Sequence, residues 1–254
     1  MAIKITLANQ KGGVGKSTTA LNLADALKHK KKKVLMIDMD AQCNTTSAYH
    51  AKVEGENTLY DLLNGDCIIN EAIQQTDMGD IIAADSLLPD LESKLKENVG
   101  GFNKMKKAIK EVDHDYDFII FDTPPNLGVF MINALSATDG VIIPILPQKF
   151  AIDGLQRLLT TINDVIDNTN ENLKIYGVVL TMYDARKELD RLILSNLPKI
   201  GEETGIHIFK THIRTCQDVN KALANEQSLI DTYPKSTAAL DYMALVKEII
   251  KETK

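Results

Sequence analysis

Asn9-Gln10-Lys11-Gly12-Gly13-Val14-Gly15-Lys16-Ser17-Thr18-Thr19 decides how the chain is read. Ahead of it Ile3, Ile5 and Leu7 alternate with Lys4 and Thr6, the period of a strand; behind it Ala20, Leu23, Ala24 and Leu27 recur at helical spacing. Strand, glycine-rich loop and helix is the context that a phosphate-binding loop requires. Gly12, Gly13 and Gly15 let the backbone approach an anion and turn its N–H groups inward, and the helix starting near Lys16 adds the positive end of its dipole. Lys16 then supplies a mobile charge for the β- and γ-phosphates of a nucleotide. The Ser17 hydroxyl falls where Mg²⁺ would sit, and Thr18 can donate to an α-phosphate oxygen. A glycine turn with solvated lysines is the competing reading, and it leaves the flanking strand and helix unexplained.

The strict motif has glycine at position 10, where this chain has Gln10, and the loop carries a second lysine, Lys11. Lys-Gly-Gly-x-Gly-Lys-Ser/Thr resembles the deviant loop of the branch of P-loop proteins that holds the ParA/Soj-type partition ATPases and the cell-division ATPases. That resemblance implies a catalytic, cross-dimer role for Lys11, reaching the phosphates of the nucleotide held by a second copy. It also implies ATP/ADP and Mg²⁺ as cofactors, with residues 11–18, Val14 included, as the nucleotide cradle.

Two further stretches end apolar runs in carboxylates. Val34-Leu35-Met36-Ile37-Asp38 and Tyr116-Asp117-Phe118-Ile119-Ile120-Phe121-Asp122 read as buried parallel strands that deliver an acid to the carboxyl edge of a sheet, where ligands bind in open α/β folds. Asp122 suits a Mg²⁺ site reached through water. Asp38-Met39-Asp40-Ala41-Gln42 resembles the family's Asp-x-Asp-x-Gln switch; by resemblance Asp38 lies near the metal and Asp40 positions the attacking water. Cys43 stands where the family usually has glycine. Asp122-Thr123-Pro124-Pro125-Asn126-Leu127-Gly128 resembles the second switch, with Asn126 in place of a common serine. A helix cap with a solvated turn is the bland alternative for each acid.

With 254 residues, 44% hydrophobic and 25% charged, the chain is sized for one P-loop ATPase domain over residues 1–254: an α/β fold with a mostly parallel twisted sheet and helices on both faces. A net charge of −6 argues against a globally basic nucleic-acid binder but leaves local patches open. Cys43, Cys67 and Cys216 are odd in number and form no C-x-x-C, against a disulfide framework and for a reducing, cytoplasmic setting. No apolar run approaches the roughly 18 residues of a membrane span, so no membrane is expected. The loop begins so early that a preceding helix-turn-helix domain is not expected.

Elsewhere the patterning predicts helices at Thr58 to Leu63, Ile68 to Gln75, Leu87 to Glu97 and Phe102 to Val112. Strands are predicted at Asp80 to Ala83, Gly140 to Pro147, Tyr176 to Met182 and His207 to Ile213. Lys28 to Lys33 is either a DNA-facing cluster or a solvated helix end. Ala151-Ile152-Asp153-Gly154-Leu155 also echoes the family. Leu180-Thr181-Met182-Tyr183-Asp184-Ala185-Arg186 resembles its Leu-Thr-Met-x-Asp-x-Arg, which places Arg186 on a surface that binds double-stranded DNA without sequence preference; a surface salt bridge is the alternative. Where chromosomal relatives have Ile-Pro-Arg-Asn-x-Arg, this chain has Ile213-Arg214-Thr215-Cys216-Gln217-Asp218, leaving Arg214 as the second candidate. Tyr233-Pro234-Lys235-Ser236, Ala238-Ala239 and Tyr242 resemble the last helix.

Taken together, the resemblance implies an ATP-dependent sandwich homodimer on nonspecific DNA, associated with the nucleoid. A ParB-like centromere-binding protein would stimulate its hydrolysis. A MinD-like membrane-associated ATPase is the alternative, although the C-terminal stretch from Leu245 has balanced charge and no aromatic. An iron–sulfur ATPase would need cysteines just beyond the switch acids, and none follows Asp122 before Cys216.

Overall fold

The computed structural model describes residues 1–148 and 151–253, apart from the side chains of residues 151–154. Among these, seven strands form one sheet: β1 (Ile3–Leu7), β2 (Val34–Asp38), β3 (Ile73–Thr76), β4 (Gly79–Ile82), β5 (Phe118–Asp122), β6 (Gly140–Ile145) and β7 (Lys174–Leu180). Their order is β3-β4-β2-β5-β1-β6-β7, all parallel except the edge strand β3. The helices are α1 (Lys16–His29), α2 (Asn44–Ala48), α3 (Leu59–Asn64), α4 (Ile69–Ala72), α5 (Leu88–Glu97), α6 (Lys104–Ala108), α7 (Val129–Ala137), α8 (Ala151–Asn168), α9 (Glu188–Thr204), α10 (Gln217–Ala224), α11 (Leu229–Thr232) and α12 (Thr237–Glu252).

The sheet is covered on both faces, which is why its strands are apolar runs and not alternating ones. Met36, Ile120, Ile142 and Val179 point to one side, where α1 and α12 bring Leu23, Leu27, Leu245 and Ile249. Leu35, Ile37, Ile119 and Phe121 point to the other, against α3, α5 and α7. On that same side Val141, Ile143, Val178 and Leu180 meet α8 and α9. The C-terminal helix packs its Leu245, Val246 and Ile249 fully into the core, as the balanced charge of its other positions suggests.

The alternation in β1 has a different cause. Lys4 and Thr6 are buried too. The Lys4 ammonium donates to the Asp113 carboxylate at 3.1 Å and to the Ala2 carbonyl at 3.0 Å, and lies 3.3 Å from Asp139. A buried charge survives here because it is paired and hydrogen-bonded.

Three sequence expectations need correction. The helix expected at Ile68 to Gln75 stops at Ala72, and Ile73–Thr76 pairs antiparallel with β4 through the turn Asp77-Met78. Tertiary pairing of the Ile73-Gln74-Gln75-Thr76 stretch wins over local propensity. The helix expected from Phe102 to Val112 has only one α-helical turn, Lys104–Ala108, between two 3₁₀ segments. The strand expected from His207 to Ile213 touches β7 by one bridge, Val178 with Ile208, and a second bridge joins Tyr183 to Arg214 just beyond both stretches. Between them the Glu248 carboxylate of α12 captures the amides of Lys210 and Thr211 at 2.9 and 3.0 Å, so these residues leave the ladder.

Candidate functional site

The loop between β1 and α1 sits at the carboxyl edge of the sheet, between the ends of β5 and β6. Gly13 and Gly15 have φ of +72° and +85°, the left-handed region open to glycine at no steric cost. Gly15 is the residue that turns the chain into α1. Asn9 buttresses the loop: its amide donates to the Pro144 carbonyl at 2.7 Å, and its Oδ1 accepts from the Lys11 amide at 2.9 Å. From the far side the Thr181 hydroxyl donates to the Val14 carbonyl at 2.8 Å. That places the end of β7 against the loop, a contact that the sequence motifs do not announce.

Lys16 is almost fully buried, and its ammonium donates to the Lys11 carbonyl at 3.3 Å. Burial lowers its pKa, opposed by the negative charges of Asp122 and Asp40. Such a desolvated cation, held only by a long bond to a carbonyl, is poised for a stronger anionic partner. The Lys11 ammonium instead contacts the Gln148 side-chain oxygen at the surface.

Asp38 and Asp122 end neighbouring strands in register. Both are fully buried. Burial and mutual repulsion raise the Asp38 pKa, and burial raises that of Asp122 against the opposing influence of the nearby Ser17 and Thr45 hydroxyls and the Lys16 charge. The two acids are nonetheless unlike. Asp38 has a partner at each oxygen: Oδ1 accepts from the Asp40 amide at 3.1 Å, and Oδ2 accepts from the Thr46 amide and hydroxyl, each at 2.8 Å. Asp122 has one oxygen on the Thr45 hydroxyl at 2.8 Å, while its buried Oδ1 has no partner. An orphaned carboxylate oxygen beside Ser17 fits a divalent cation, whose charge would also relieve the repulsion between the acids. Asp38 lies next to that position, but each of its oxygens already accepts a hydrogen bond, which distinguishes it from Asp122 as a candidate ligand.

A cleft of about 470 Å³ opens over these groups, lined by Gly12, Gly13, Gly15, Lys16, Ser17 and Thr18 on one side and by Asp40, Gln42 and Asn44 on the other. Pro125, in the stretch after β5, lines it as well. Asp40 Oδ1 accepts from the Gln42 amide at 3.0 Å, which turns the chain after the acid. The turn reaches Cys43 at φ +55°, so the family's usual glycine at this position has a backbone reason. Asn126 Oδ1 accepts from the Gly128 amide at 2.9 Å, a local turn that a serine hydroxyl could also support.

Arg186 lies in the segment after β7, and Arg214 bridges Tyr183 of that segment; both arginines are outside the cleft and both are paired. Arg186 donates to both oxygens of Asp184 at 2.9 and 2.8 Å, and Arg214 does the same with Asp241 at 2.9 and 2.6 Å. Leu21, Met182, Leu223 and Glu226 also line the cleft. Met182 lies in a motif that the sequence does reveal, whereas nothing in the pattern around Leu223 or Glu226 marks them. The family echo at residues 151–155 falls mostly on side chains outside the described residues. No helix among the described residues is long and apolar enough to cross a membrane.

A family model described as an AAA domain matches residues 2–175. The chain is 36% identical over 248 residues to the sporulation initiation inhibitor protein Soj of Bacillus subtilis, covering 96% of this chain and 97% of that protein. It is 32% identical over 252 residues to the chromosome partitioning protein ParA of Caulobacter vibrioides, covering 97% and 93%. Among solved structures it is similar to cobyrinic acid a,c-diamide synthase from Mycobacterium smegmatis with bound ADP and magnesium, with a TM-score of 0.85, 28% identity and coverage of 99% and 95%. A deviant phosphate loop, two switch acids at adjacent strand ends and full-length similarity to Soj and ParA together place the chain in the ParA/Soj family of P-loop ATPases.

Proposed function

We propose that this chain is a DNA-partition ATPase that binds Mg²⁺-ATP in the cleft, pairs with a second copy over the bound nucleotide, and coats DNA without sequence preference. A centromere-binding partner protein would trigger hydrolysis and release. The observation that carries this reading is the convergence of Lys16, Ser17 and Asp40 on one cleft, with the orphaned Asp122 oxygen buried beside Ser17, behind a loop that also presents Lys11 at its surface.

Phosphoryl transfer to water needs positioning and charge stabilisation more than covalent chemistry. The loop amides and Lys16 cradle the β- and γ-phosphates, and Lys16 exchanges its weak carbonyl contact for them. Ser17 and Asp122 would hold Mg²⁺, which when bound supplies neutralisation of the phosphate oxygens. Asp38 stays hydrogen-bonded to Thr46 and fixes the segment that presents Asp40. The Asp40 carboxylate accepts a hydrogen bond from water in line with the γ-phosphate, and Lys11 of a second copy would offset charge as the bond to the leaving ADP breaks. Cytoplasmic, nucleoid-associated placement follows from DNA binding in this reading.

Asp40→Ala tests it, because that change removes the water-orienting group without touching the phosphate cradle. Calorimetry should find ATP affinity within about threefold of the parent, while phosphate release stimulated by DNA and a partner protein falls by about two orders of magnitude or more. Turnover at the parent rate would sink the role of Asp40.

A further inference from the structure

The cleft is lined by polar groups, among them Lys16, Ser17, Thr18 and Asp40, and by the apolar side chains of Leu21, Ala48, Leu223 and Met182, on which a base and sugar would rest. Two of its lining side chains, from separate elements, meet. The Ser47 hydroxyl, on α2, donates to the Glu226 carboxylate, in the link between α10 and α11. Both residues line the cleft.

This contact is embedded in a built arrangement. His50 lies 3.1 Å from the Glu226 carbonyl through Nε2 and 3.1 Å from Asp77 through Nδ1, and the Ser228 hydroxyl donates to Asp25 of α1. The link at residues 226–228 is thus tied to α1, to α2 and, through His50, to the β3–β4 turn. On its other side α2 is tied to the metal-site acids through Thr45 and Thr46. Cys43 and His50, at φ +55° and +54°, bracket α2, and Glu226 itself is at φ +50°. Non-glycine residues in this region are uncommon and store strain where the surroundings over-determine them.

We infer that Ser47 and Glu226 form a clasp across the cleft that retains bound nucleotide, and that Glu226 is a positioning residue which sets the rate of ADP release. This rests on the nucleotide-binding reading above. Release requires the outer wall, α2 with its two left-handed flanks, to part from the residue-226 link. The hydrogen bond from Ser47 to a charged acceptor opposes that parting.

Stopped-flow release of N-methylanthraniloyl-ADP from the full chain with Mg²⁺ tests the clasp. Ser47→Ala should speed release about tenfold, the scale of one hydrogen bond to a charged acceptor. Glu226→Gly, which removes the carboxylate but relieves the left-handed backbone, should do the same. The double variant should be no faster than either alone, because both changes break one contact. Glu226→Gln, whose amide oxygen still accepts from Ser47 but carries no charge, should fall between the parent and Glu226→Gly. Unchanged release in both single variants, or accelerations that multiply in the double variant, would overturn the clasp. A parent chain that takes up no probe would overturn the nucleotide reading, and the clasp with it.

Discussion

Two lysines five residues apart sit in different surroundings, and the proposed difference in their roles follows from where each side chain goes. Lys16 is buried among carboxylates, and Lys11 is at the surface on Gln148. Lys16→Ala should therefore abolish ATP binding in the monomer by calorimetry. Lys11→Ala should keep monomer affinity but lose the ATP-dependent dimer in light scattering; normal dimerisation would remove Lys11 from any cross-dimer role. The switch acids give a pH prediction. Their folded-state pKa values are raised, Asp38 to about 7 and Asp122 to about 6, so in the metal-free protein the unfolded chain gives up these protons first as pH rises. Stability from this pair is full at and below the ordinary carboxylate range near 4, falls as pH climbs through the folded values, and stays lower above them. Asp38→Asn should flatten that loss, so urea unfolding at pH 5 and pH 8 should differ less than in the parent, by roughly 1–3 kcal/mol. An unchanged difference would show that the repulsion is already relieved in the native protein. The loop and both acids were legible because strand, turn and carboxylate are local patterns. Thr45, Thr46 and Thr181 were not legible as partners, because a threonine carries no sequence mark of which distant carboxylate or carbonyl it will meet.

At the scale of elements, the parallel strands were readable as apolar runs, and α3 was readable from Thr58, whose capping box with Asp61 holds in the structure. Elements decided by tertiary contacts were not. The stretch Ile73-Gln74-Gln75-Thr76 becomes a strand because β4 offers an edge, and residues 207–213 fail to become one because Glu248 takes two amides. The helices α8 and α9 drew no assignment from the sequence. In α9 Leu189 and Leu192 are exposed, so its apolar residues do not fall on one buried stripe. The β1 alternation concealed a buried ion pair, and that pair makes a test. Asp113→Ala would leave the buried Lys4 ammonium without its nearest carboxylate and remove an acceptor of the Ala2 amide at 3.0 Å. Urea unfolding should show a loss of about 3 kcal/mol, since breaking one side of a buried pair costs more than the pair contributes. A loss under about 1 kcal/mol would mean that Asp139 alone satisfies Lys4.

For the whole molecule, the acidic balance and the two paired arginines set the terms of the proposed DNA binding. A chain of net charge −6 can hold a duplex only through a local cationic face, so affinity should fall steeply with salt and depend little on sequence. Pairing of two copies doubles the cations facing one duplex and makes the second contact effectively intramolecular, so binding should require ATP. Arg186 and Arg214 should then separate. The Arg186 side chain is 89% exposed, and phosphate can draw it from Asp184 without disturbing the fold. Arg214 is 42% exposed, and it ties the chain after β7 to Asp241 and the Thr237 carbonyl of α12, with Asp241 largely buried. Arg186→Ala should weaken DNA binding uniformly across sequences and shallow the salt slope, with the thermal midpoint unchanged. Arg214→Ala should lower the thermal midpoint as well, because Asp241 is left without its cation. Fluorescence anisotropy on a random duplex, with ATP or ADP over a salt series and read beside thermal melts, distinguishes the two. Binding that ignores the nucleotide, or capture by anionic liposomes in place of DNA, would instead favour a membrane-associated member of the same branch.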